Sequence, residues 1–339
     1  MAALTLKNPY ETVDWTKTQQ IRGQFHTHTN RPKDSDGHSG SHDAHEIVDF
    51  YETAGFGALT LGDHESRGPP PLTWPWTELT AIESTWENRI PIGSHTVAGP
   101  DDVTVDMVAV PGLELGRVRD PEDMVSLFSH LATSPSDDNV ETLATVAERG
   151  GIAWLSHPSA YGTAEEWGER WWREAFTSID ACLGMEIFNP GYNADESVAI
   201  WDAALTDLLP ERSVWGFAGD DLHTIGDAYP QAWQAIVVEE HAAKDVRMAL
   251  EEGWTFPQHR IGADDGDDPP EIRKIEVDHE TAVVHLDAAE VDEIVWISNG
   301  SVVGEGNAFE ITPTHNPYVR GVVRNGAGET CTQPIAIEP

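Results

Sequence analysis

Basic residues, cysteine and long apolar runs are all scarce in this sequence. Lysine and arginine together number 20 against 59 acidic residues, which gives a formal charge of −39 at pH 7. Nucleic acid is therefore not an expected partner, because its phosphates would meet like charge. The two cysteines, Cys182 and Cys331, are far apart in the sequence, so we expect neither a disulfide framework nor a thiolate metal site. No apolar run reaches the ~18 residues that a membrane span requires.

The acidic excess does not indicate disorder, because disordered chains have few aromatic residues and this chain has 13 tryptophans. We expect a folded protein with an acidic, lysine-poor surface, of the kind suited to a halophilic cytoplasm in which salt screens self-repulsion. The first residues, MAALTLKNPYETVDW, show no basic segment followed by an apolar core. The sequence therefore predicts a cytoplasmic protein without a signal peptide.

Short apolar runs alternate with helical patterns from residue 20 to about residue 260, which predicts an α/β protein with a parallel barrel or a doubly wound sheet. A helix over 43–55 begins with Asp43 and Glu46 in capping-box positions, and an amphipathic helix is expected over 165–176. The segments with strand character are 58–63, 106–115, 151–157, 182–189, 214–221 and 234–240.

After an acidic, Gly/Pro-rich segment only strand patterns remain, with Asn299-Gly300 and Asn325-Gly326 as hairpin turns between them. We interpret residues 263–270 as a linker between a barrel of residues 1–262 and a small C-terminal β-sandwich of residues 271–339.

Residues that can bind metal ions follow the predicted strands. His26 and His28 lie two apart in GQFHTHTN, so on a strand both imidazoles point the same way. Further imidazoles and carboxylates follow other strands, where barrel enzymes build their active sites. These residues are Asp63 and His64 in LTLGDHE, Glu114 in VPGLELG, His157 in AWLSHPS, and Asp221 and His223 in FAGDDLHT.

This set favours Zn²⁺, Mn²⁺ or Fe²⁺, because it contains imidazole and carboxylate but no thiol. It exceeds the needs of one tetrahedral ion, so we expect two or three divalent ions. Two neighbouring ions lower the pKa of a bridging water and clamp the oxygens of a substrate, which is the chemistry of ester hydrolysis.

The motifs FHTHTN…DSDG, LTLGDHE, VPGLEL, AWLSHPS and GDDLHT resemble, in order, those of the PHP (polymerase and histidinol phosphatase) family of metal-dependent hydrolases. The resemblance covers residues 20–225 and implies a distorted (β/α)7 barrel with up to three ions. It assigns the first ion to His26, His28, Glu114 and Asp221. It lets Glu114 bridge to a second ion bound by His157, and it assigns the third ion to Asp36, His64 and His223.

Two of these assignments have alternatives. Asp34 competes with Asp36, because the stretch after His28 is longer than the family pattern. The family also has a histidine between Glu114 and His157, and His130 is the histidine that lies there.

Other segments, among them GMEIFNPG and the C-terminal YVRGVVRNGAGETCTQPIAI, are similar to a branch of the family related to carbaryl hydrolase. That resemblance implies that Glu186 and Asn189 line a substrate pocket. The alternative is that Glu186 is a surface carboxylate and Asn189 caps a turn.

Arg67 and Arg117 directly follow two ligand motifs, and in so acidic a chain they are candidates for binding an anionic substrate group. The sequence predicts a hydrolase acting on a small-molecule ester, with phosphoric esters leading and carbamate or carboxylic esters as the alternative. The third hypothesis is a non-catalytic metal-binding module. Glu114 would act at the reacting centre, and His64, Asp63 or His223 would relay the proton to the leaving group.

Overall fold

The computed structural model describes residues 4–30, 40–65, 95–97, 103–105, 107–116, 122–131, 133–226, 230–261 and 267–338. Its helices are α1 (Ala44–Thr53), α2 (Asn139–Glu148), α3 (Trp172–Ser178), α4 (Ala194–Leu208) and α5 (Ala243–Glu252). None of the helices in these ranges is long and apolar enough to cross a membrane.

The strands of the first 260 residues are β1 (Thr5–Lys7), β2 (Gln19–Gln24), β3 (Phe56–Leu59), β4 (His95–Val97), β5 (Val103–Val105), β6 (Val108–Ala109), β7 (Gly112–Leu115), β8 (Met124–Leu127), β9 (Ile152–Leu155), β10 (Cys182–Phe188), β11 (Trp215–Ala218), β12 (Ala232–Val238) and β13 (Thr255–Arg260). The later ones are β14 (Glu271–Asp278), β15 (Val283–Ala289), β16 (Glu293–Ser298), β17 (Ser301–Glu305), β18 (Ala308–Glu310), β19 (Tyr318–Arg324), β20 (Gly328–Cys331) and β21 (Ile335–Glu338). The α/β class is confirmed.

Local sequence explains where the helices begin and end. At α1 the predicted capping box forms, because the Asp43 amide donates to Glu46 Oε2 at 2.9 Å and the Glu46 amide donates to Asp43 Oδ1 at 3.1 Å. Asp138 and Asn193 cap α2 and α4 by accepting from the amides of Glu141 and Glu196. Helix α5 ends at Gly253, whose φ of 73° lies in the left-handed region that glycine tolerates best.

The segment 165–176 differs from its prediction as one amphipathic helix. It forms a 3₁₀ turn over Ala164–Glu169, and α3 follows after a break. The indoles of Trp171 and Trp172 both donate to the Glu122 carboxylate, and Arg170 pairs with the same group. The break lies at Arg170, whose φ of −85° and ψ of 151° are extended.

The strands that lead to the predicted metal ligands belong to two sheets. In the larger sheet the order is β1-β21-β19-β20-β13-β12-β2-β3-β6, with β16 on β19 and β17 on β16. The other has the order β11-β10-β9-β8-β7. Isolated parallel bridges between Thr27 and Leu222 and between His64 and Glu114 link the two sheets just beyond the strand ends. The predicted metal ligands therefore emerge where the sheets meet.

The strands are not uniformly parallel. Strand β8 runs antiparallel to both β7 and β9, whereas β10 is parallel to β9 and β11. The connection from β7 to β8, residues 116–123, is too short for a helical crossover, so the strands form an antiparallel pair. The (β/α)7 barrel and the β-sandwich remain predictions.

Strands from both sides of residues 263–270 share the larger sheet, since β20 pairs with β13 at Gln258↔Thr330. The Gln333 side chain accepts from the Gly216 amide at 2.8 Å and donates to the Gly216 carbonyl at 2.8 Å. Arg320 on β19 forms a bidentate ion pair with Asp202 on α4, at 2.8 and 2.7 Å. The division into domains at residues 262 and 271 stays a prediction, and residues 262–266 lie outside the described ranges.

Candidate metal centre

The structure brings seven of the predicted ligands together. Three overlapping groups have ligand atoms within 4.8 Å of one another: His26, Glu114 and His157; His26, His28 and Asp221; and His28, His64 and His223. They come from the segments after β2, β3, β9 and β11 and from β7 itself. Because residues distant in sequence converge here, the arrangement is a site and not a local cluster.

Glu114 lies at the middle of the assembly. Its Oε1 is 3.1 Å from His26 Nε2 and 3.3 Å from His157 Nε2. Its Oε2 is 2.7 Å from His64 Nδ1 and 3.7 Å from His28 Nε2. One carboxylate thus faces four imidazoles, as a bridging ligand must.

Asp221 joins the same imidazoles from the other side. Its Oδ1 is 2.9 Å from His28 Nε2 and 3.3 Å from both His26 Nε2 and His223 Nδ1. The His28 ring stacks between His64 and His223, with centroid distances of 4.3 and 4.2 Å. This packing orients the third group of ligand atoms.

Burial and unsatisfied polar atoms test whether metal ions fit these residues. The side chains of His26, His28 and Glu114 are each 1% exposed. Among the described residues, His26 Nε2 and both oxygens of Glu114 nevertheless have no hydrogen-bond partner. Leaving such groups unsatisfied costs ~1–3 kcal/mol each. Divalent ions would satisfy them, so the residues present fit a metal centre.

The charges around the centre favour ionised carboxylate. Burial alone would raise the pKa of Glu114, but His26 and His64 hold it well below its usual range. For His28, burial and then His64 lower the pKa to about 3, so this ring is neutral. Ionised carboxylate and neutral imidazole are the forms that bind metal ions, so Glu114 and His28 are already in those forms. Against burial, Glu114 helps to raise the pKa of His26 and of His157, and these rings would release a proton when an ion binds.

Glu186 connects two of the ligands and is buried. Its Oε1 lies 2.7 Å from His26 Nδ1, and its Oε2 accepts from the His157 amide at 3.1 Å and from Asn189 Nδ2 at 3.1 Å. A Cβ on Gly219 would come within 2.6 Å of Glu186 Oε1, so only glycine leaves room there. Glu186 thus holds the His26 ring from behind, the arrangement that orients metal-binding histidines. Asn189 donates to Glu186 and accepts from the Gly191 and Tyr192 amides, as the turn-capping alternative expects, and its place in a substrate pocket stays a prediction.

Asp63 directly precedes the predicted ligand His64 and forms hydrogen bonds to Thr29. Its Oδ2 accepts from Thr29 Oγ1 at 2.8 Å, and its Oδ1 accepts from the Thr29 amide. Thr29 follows His28 directly, so the Asp63 carboxylate holds the segment that carries the two opening histidines. This placement favours positioning over the predicted proton relay.

Two ligand residues have unusual backbone angles. His157 has φ of 28° and Asp221 has φ of 50°, both in the region that side chains other than glycine rarely occupy. Such conformations cost ~1–3 kcal/mol and persist where the surroundings hold them, often at functional sites. Here the His157 side chain faces Glu114, and the Asp221 side chain faces His26 and His28.

His130 does not join the groups found among the described residues. It follows β8, whose end at Leu127 pairs with Gly112, at the end of β7 away from Glu114. Because β8 is antiparallel, the chain leaves the metal centre along β8 and reaches His130 on the opposite side. We therefore omit His130 from the proposed ligand set. Asp34, Asp36, Arg67 and Arg117 lie outside the described residues.

Tyr192 lies at the site but was not predicted from the sequence. Its ring stacks on His157 with centroids 4.1 Å apart and 24° between the planes. Burial, followed by the charges of Asp221 and Glu114, raises the pKa of Tyr192 to about 12. The only sequence signal was its position in NPGYN, directly after a strand that ends at the site.

Comparison with known proteins supports the fold. No protein-family model matches the sequence, and no curated protein matches it significantly. The chain is similar to a two-domain protein from Bacteroides vulgatus that contains a predicted PHP-like metal-dependent phosphoesterase, with TM-score 0.50 and 14% identity over 98% of this chain and 91% of that chain. A match to the lesion-specific endonuclease EndoQ of Pyrococcus furiosus has TM-score 0.40 and 13% identity, over 69% of this chain and 56% of that chain, and is too distant to add to the argument. The first likeness shows a shared fold; at this identity it does not define a reaction.

Proposed function

We propose that the chain is a metal-dependent hydrolase of the PHP superfamily that cleaves a small-molecule ester, with phosphoric esters the leading class. The observation that carries the proposal is the set of three overlapping ligand groups around the buried Glu114 carboxylate. A site for one structural ion needs only four ligands. Seven converging ligands suit two or three ions, as hydrolytic centres have.

His26, His28, Glu114 and Asp221 would hold one ion, and Glu114 and His157 a second. His64 and His223 would hold a third, with Asp36 as the predicted remaining ligand. When bound, divalent ions such as Zn²⁺, Mn²⁺ or Fe²⁺ lower the pKa of water and offset negative charge on substrate oxygens. We further propose that the two linked sheets correspond to the distorted (β/α)7 barrel.

The protein's own residues supply orientation and proton transfer. Glu186 fixes His26 and the backbone of His157, and Asp63 fixes the segment after His28. The His223 side chain is 38% exposed, whereas the His64 side chain is 5% exposed. His223 is therefore the better placed of the two to exchange a proton with a substrate arriving from solvent.

The choice among esters rests on the sequence. Arg67 and Arg117 are proposed to bind a phosphate group, and the carbaryl-hydrolase-like segments favour a carbamate or carboxylic ester as the alternative. The charge of −39 disfavours nucleic acid as a substrate. A halophilic, cytoplasmic setting remains part of the proposal.

The test is hydrolysis by purified protein in high salt. Protein stripped with a chelator should be inactive and regain phosphate monoester hydrolysis with Mn²⁺ or Zn²⁺. Glu114→Gln should bind fewer ions per chain by elemental analysis and lose activity. A wild type that retains less than one ion per chain after soaking in either metal refutes the proposal.

Replacing Arg67 or Arg117 by alanine distinguishes between the two substrate classes. Arg67→Ala or Arg117→Ala should lower phosphate ester kcat/KM by about 10-fold or more, because a charge-assisted hydrogen bond is worth ~1.5–3 kcal/mol. Hydrolysis of neutral carbamate and carboxylic esters should change only slightly. If neither substitution lowers phosphate ester hydrolysis and neutral esters are hydrolysed rapidly, the carbamate or carboxylic ester alternative replaces the phosphoesterase proposal.

A further inference from the structure

Tyr192 stands between the buried ligands and solvent. It is 38% exposed, whereas the His157 ring on which it stacks is 3% exposed. The large exposed apolar or aromatic side chains in the described ranges are Tyr192, Met248, Ile261 and Val302. Of these, Tyr192 is the one that stacks on a residue of the candidate metal centre, so its exposed surface lies beside that centre.

The Tyr192 hydroxyl differs from those of the other described tyrosines. Four of them donate to protein acceptors: Tyr10 to the Thr255 carbonyl, Tyr51 to Asp220, Tyr161 to Asp123 and Tyr318 to Asp202. Within the described part of the chain, the Tyr192 hydroxyl has no such partner. At neutral pH a phenol is an O–H donor, so this group is available to a ligand.

The backbone that carries Tyr192 is held in place. Its amide donates to the Asn189 carbonyl at 3.1 Å, and the Gly191 amide donates to Asn189 Oδ1 at 3.1 Å. Asn189 in turn donates to Glu186, which also contacts His26. The backbone of Tyr192 is thus connected through Asn189 and Glu186 to the predicted ligand His26. A side chain held by such a network is suited to contact a substrate, because little ordering is left for binding.

We propose that Tyr192 is a substrate-binding residue whose hydroxyl donates a hydrogen bond to an oxygen of the reacting ester group. Its ring, stacked on His157, forms one wall of the entrance. This inference rests on the proposed function, and its test separates the two.

The experiment compares Tyr192→Phe with the wild type and with Tyr10→Phe, the same change at a buried tyrosine away from the centre. Tyr192→Phe keeps the stacked ring and removes only the hydroxyl. We expect kcat/KM for 4-nitrophenyl phosphate to fall about 10-fold or more, with metal content and melting temperature as in the wild type. Tyr10→Phe should lower the melting temperature without this kinetic loss.

A second readout does not depend on turnover. Calorimetric titration of metal-loaded protein with inorganic phosphate should show weaker binding to Tyr192→Phe by a similar factor. If Tyr192→Phe matches the wild type in both assays, or loses metal along with activity, the inference is overturned while the hydrolase stands. If the wild type binds metal but neither turns over esters nor binds phosphate, both the inference and the proposed function fall.

Discussion

Replacing Glu186 by glutamine should weaken metal binding without changing the shape of the site. The carboxylate accepts three hydrogens: from His26 Nδ1, from the His157 amide and from Asn189 Nδ2. A glutamine has one oxygen and one NH₂ group, so it cannot accept all three. If the oxygen faces His157 and Asn189, the NH₂ group meets His26 Nδ1. The His26 proton then moves to Nε2, the nitrogen that faces Glu114, and blocks it as a ligand.

The other orientation of the amide is also unfavourable. With the oxygen toward His26, the NH₂ group meets two further donors at 1% exposure, and these donors are left unsatisfied. Loss of a carboxylate behind a metal-binding histidine costs about 10–100-fold in metal affinity. This factor corresponds to ~1.4–2.8 kcal/mol at about 1.4 kcal/mol per factor of ten.

The assay is competition for Mn²⁺ or Zn²⁺ between the protein and a chelator of known affinity. Asp202→Asn is the matched control, because it neutralises another buried carboxylate that touches no ligand residue. The control should lose stability and keep wild-type metal affinity. If Glu186→Gln binds metal as tightly as the wild type does, then Glu186 does not orient His26 and the reasoning is wrong.

Two further predictions concern packing. Asp202→Asn should lower the free energy of unfolding in urea by ~3–5 kcal/mol, because its arginine partner is 3% exposed and keeps an uncompensated charge; a loss below 1 kcal/mol would contradict this. Gly219→Ala should cost ~1–3 kcal/mol of stability and also weaken metal binding, since its Cβ would lie 2.6 Å from Glu186 Oε1. Gly168→Ala, whose Cβ would have no neighbour within 4 Å, is the control for that change, and equal melting curves for both variants would refute the argument.

The sequence predicts much of the site because each ligand directly follows or ends an apolar strand. His26 and His28 are two apart just beyond β2, where strand geometry predicts a shared direction. Asp221 and His223 are also two apart, but the φ of 50° at Asp221 shows that strand geometry does not explain their approach. Glu114 is predicted because it lies near the end of an apolar strand segment. The structure brings these residues together without any large rearrangement of the expected elements.

Features that depend on long-range pairing were not predictable in the same way. The stacking of Tyr192 on His157 depends on where two loops meet, and no periodic pattern encodes it. His130 looked suitable because sequence spacing does not show the direction of β8. Likewise, the pairing of β20 with β13 could not be inferred from the acidic segment between them, because a loop of that composition joins either separate domains or strands of one sheet.

The register that places Thr5 opposite Glu338 has a consequence for biosynthesis. Strand β1 cannot pair with β21 until all of the sequence between the two strands has been synthesised, so this edge of the larger sheet closes late. Contacts between residues so distant in sequence slow folding, because the entropy of closing the loop is lost before the contact is gained. Until β1 pairs, the outer edge of β21 has no strand partner, and the strong negative charge of the chain opposes association of that edge with other copies. The acidic composition would therefore protect the nascent chain as well as the finished protein.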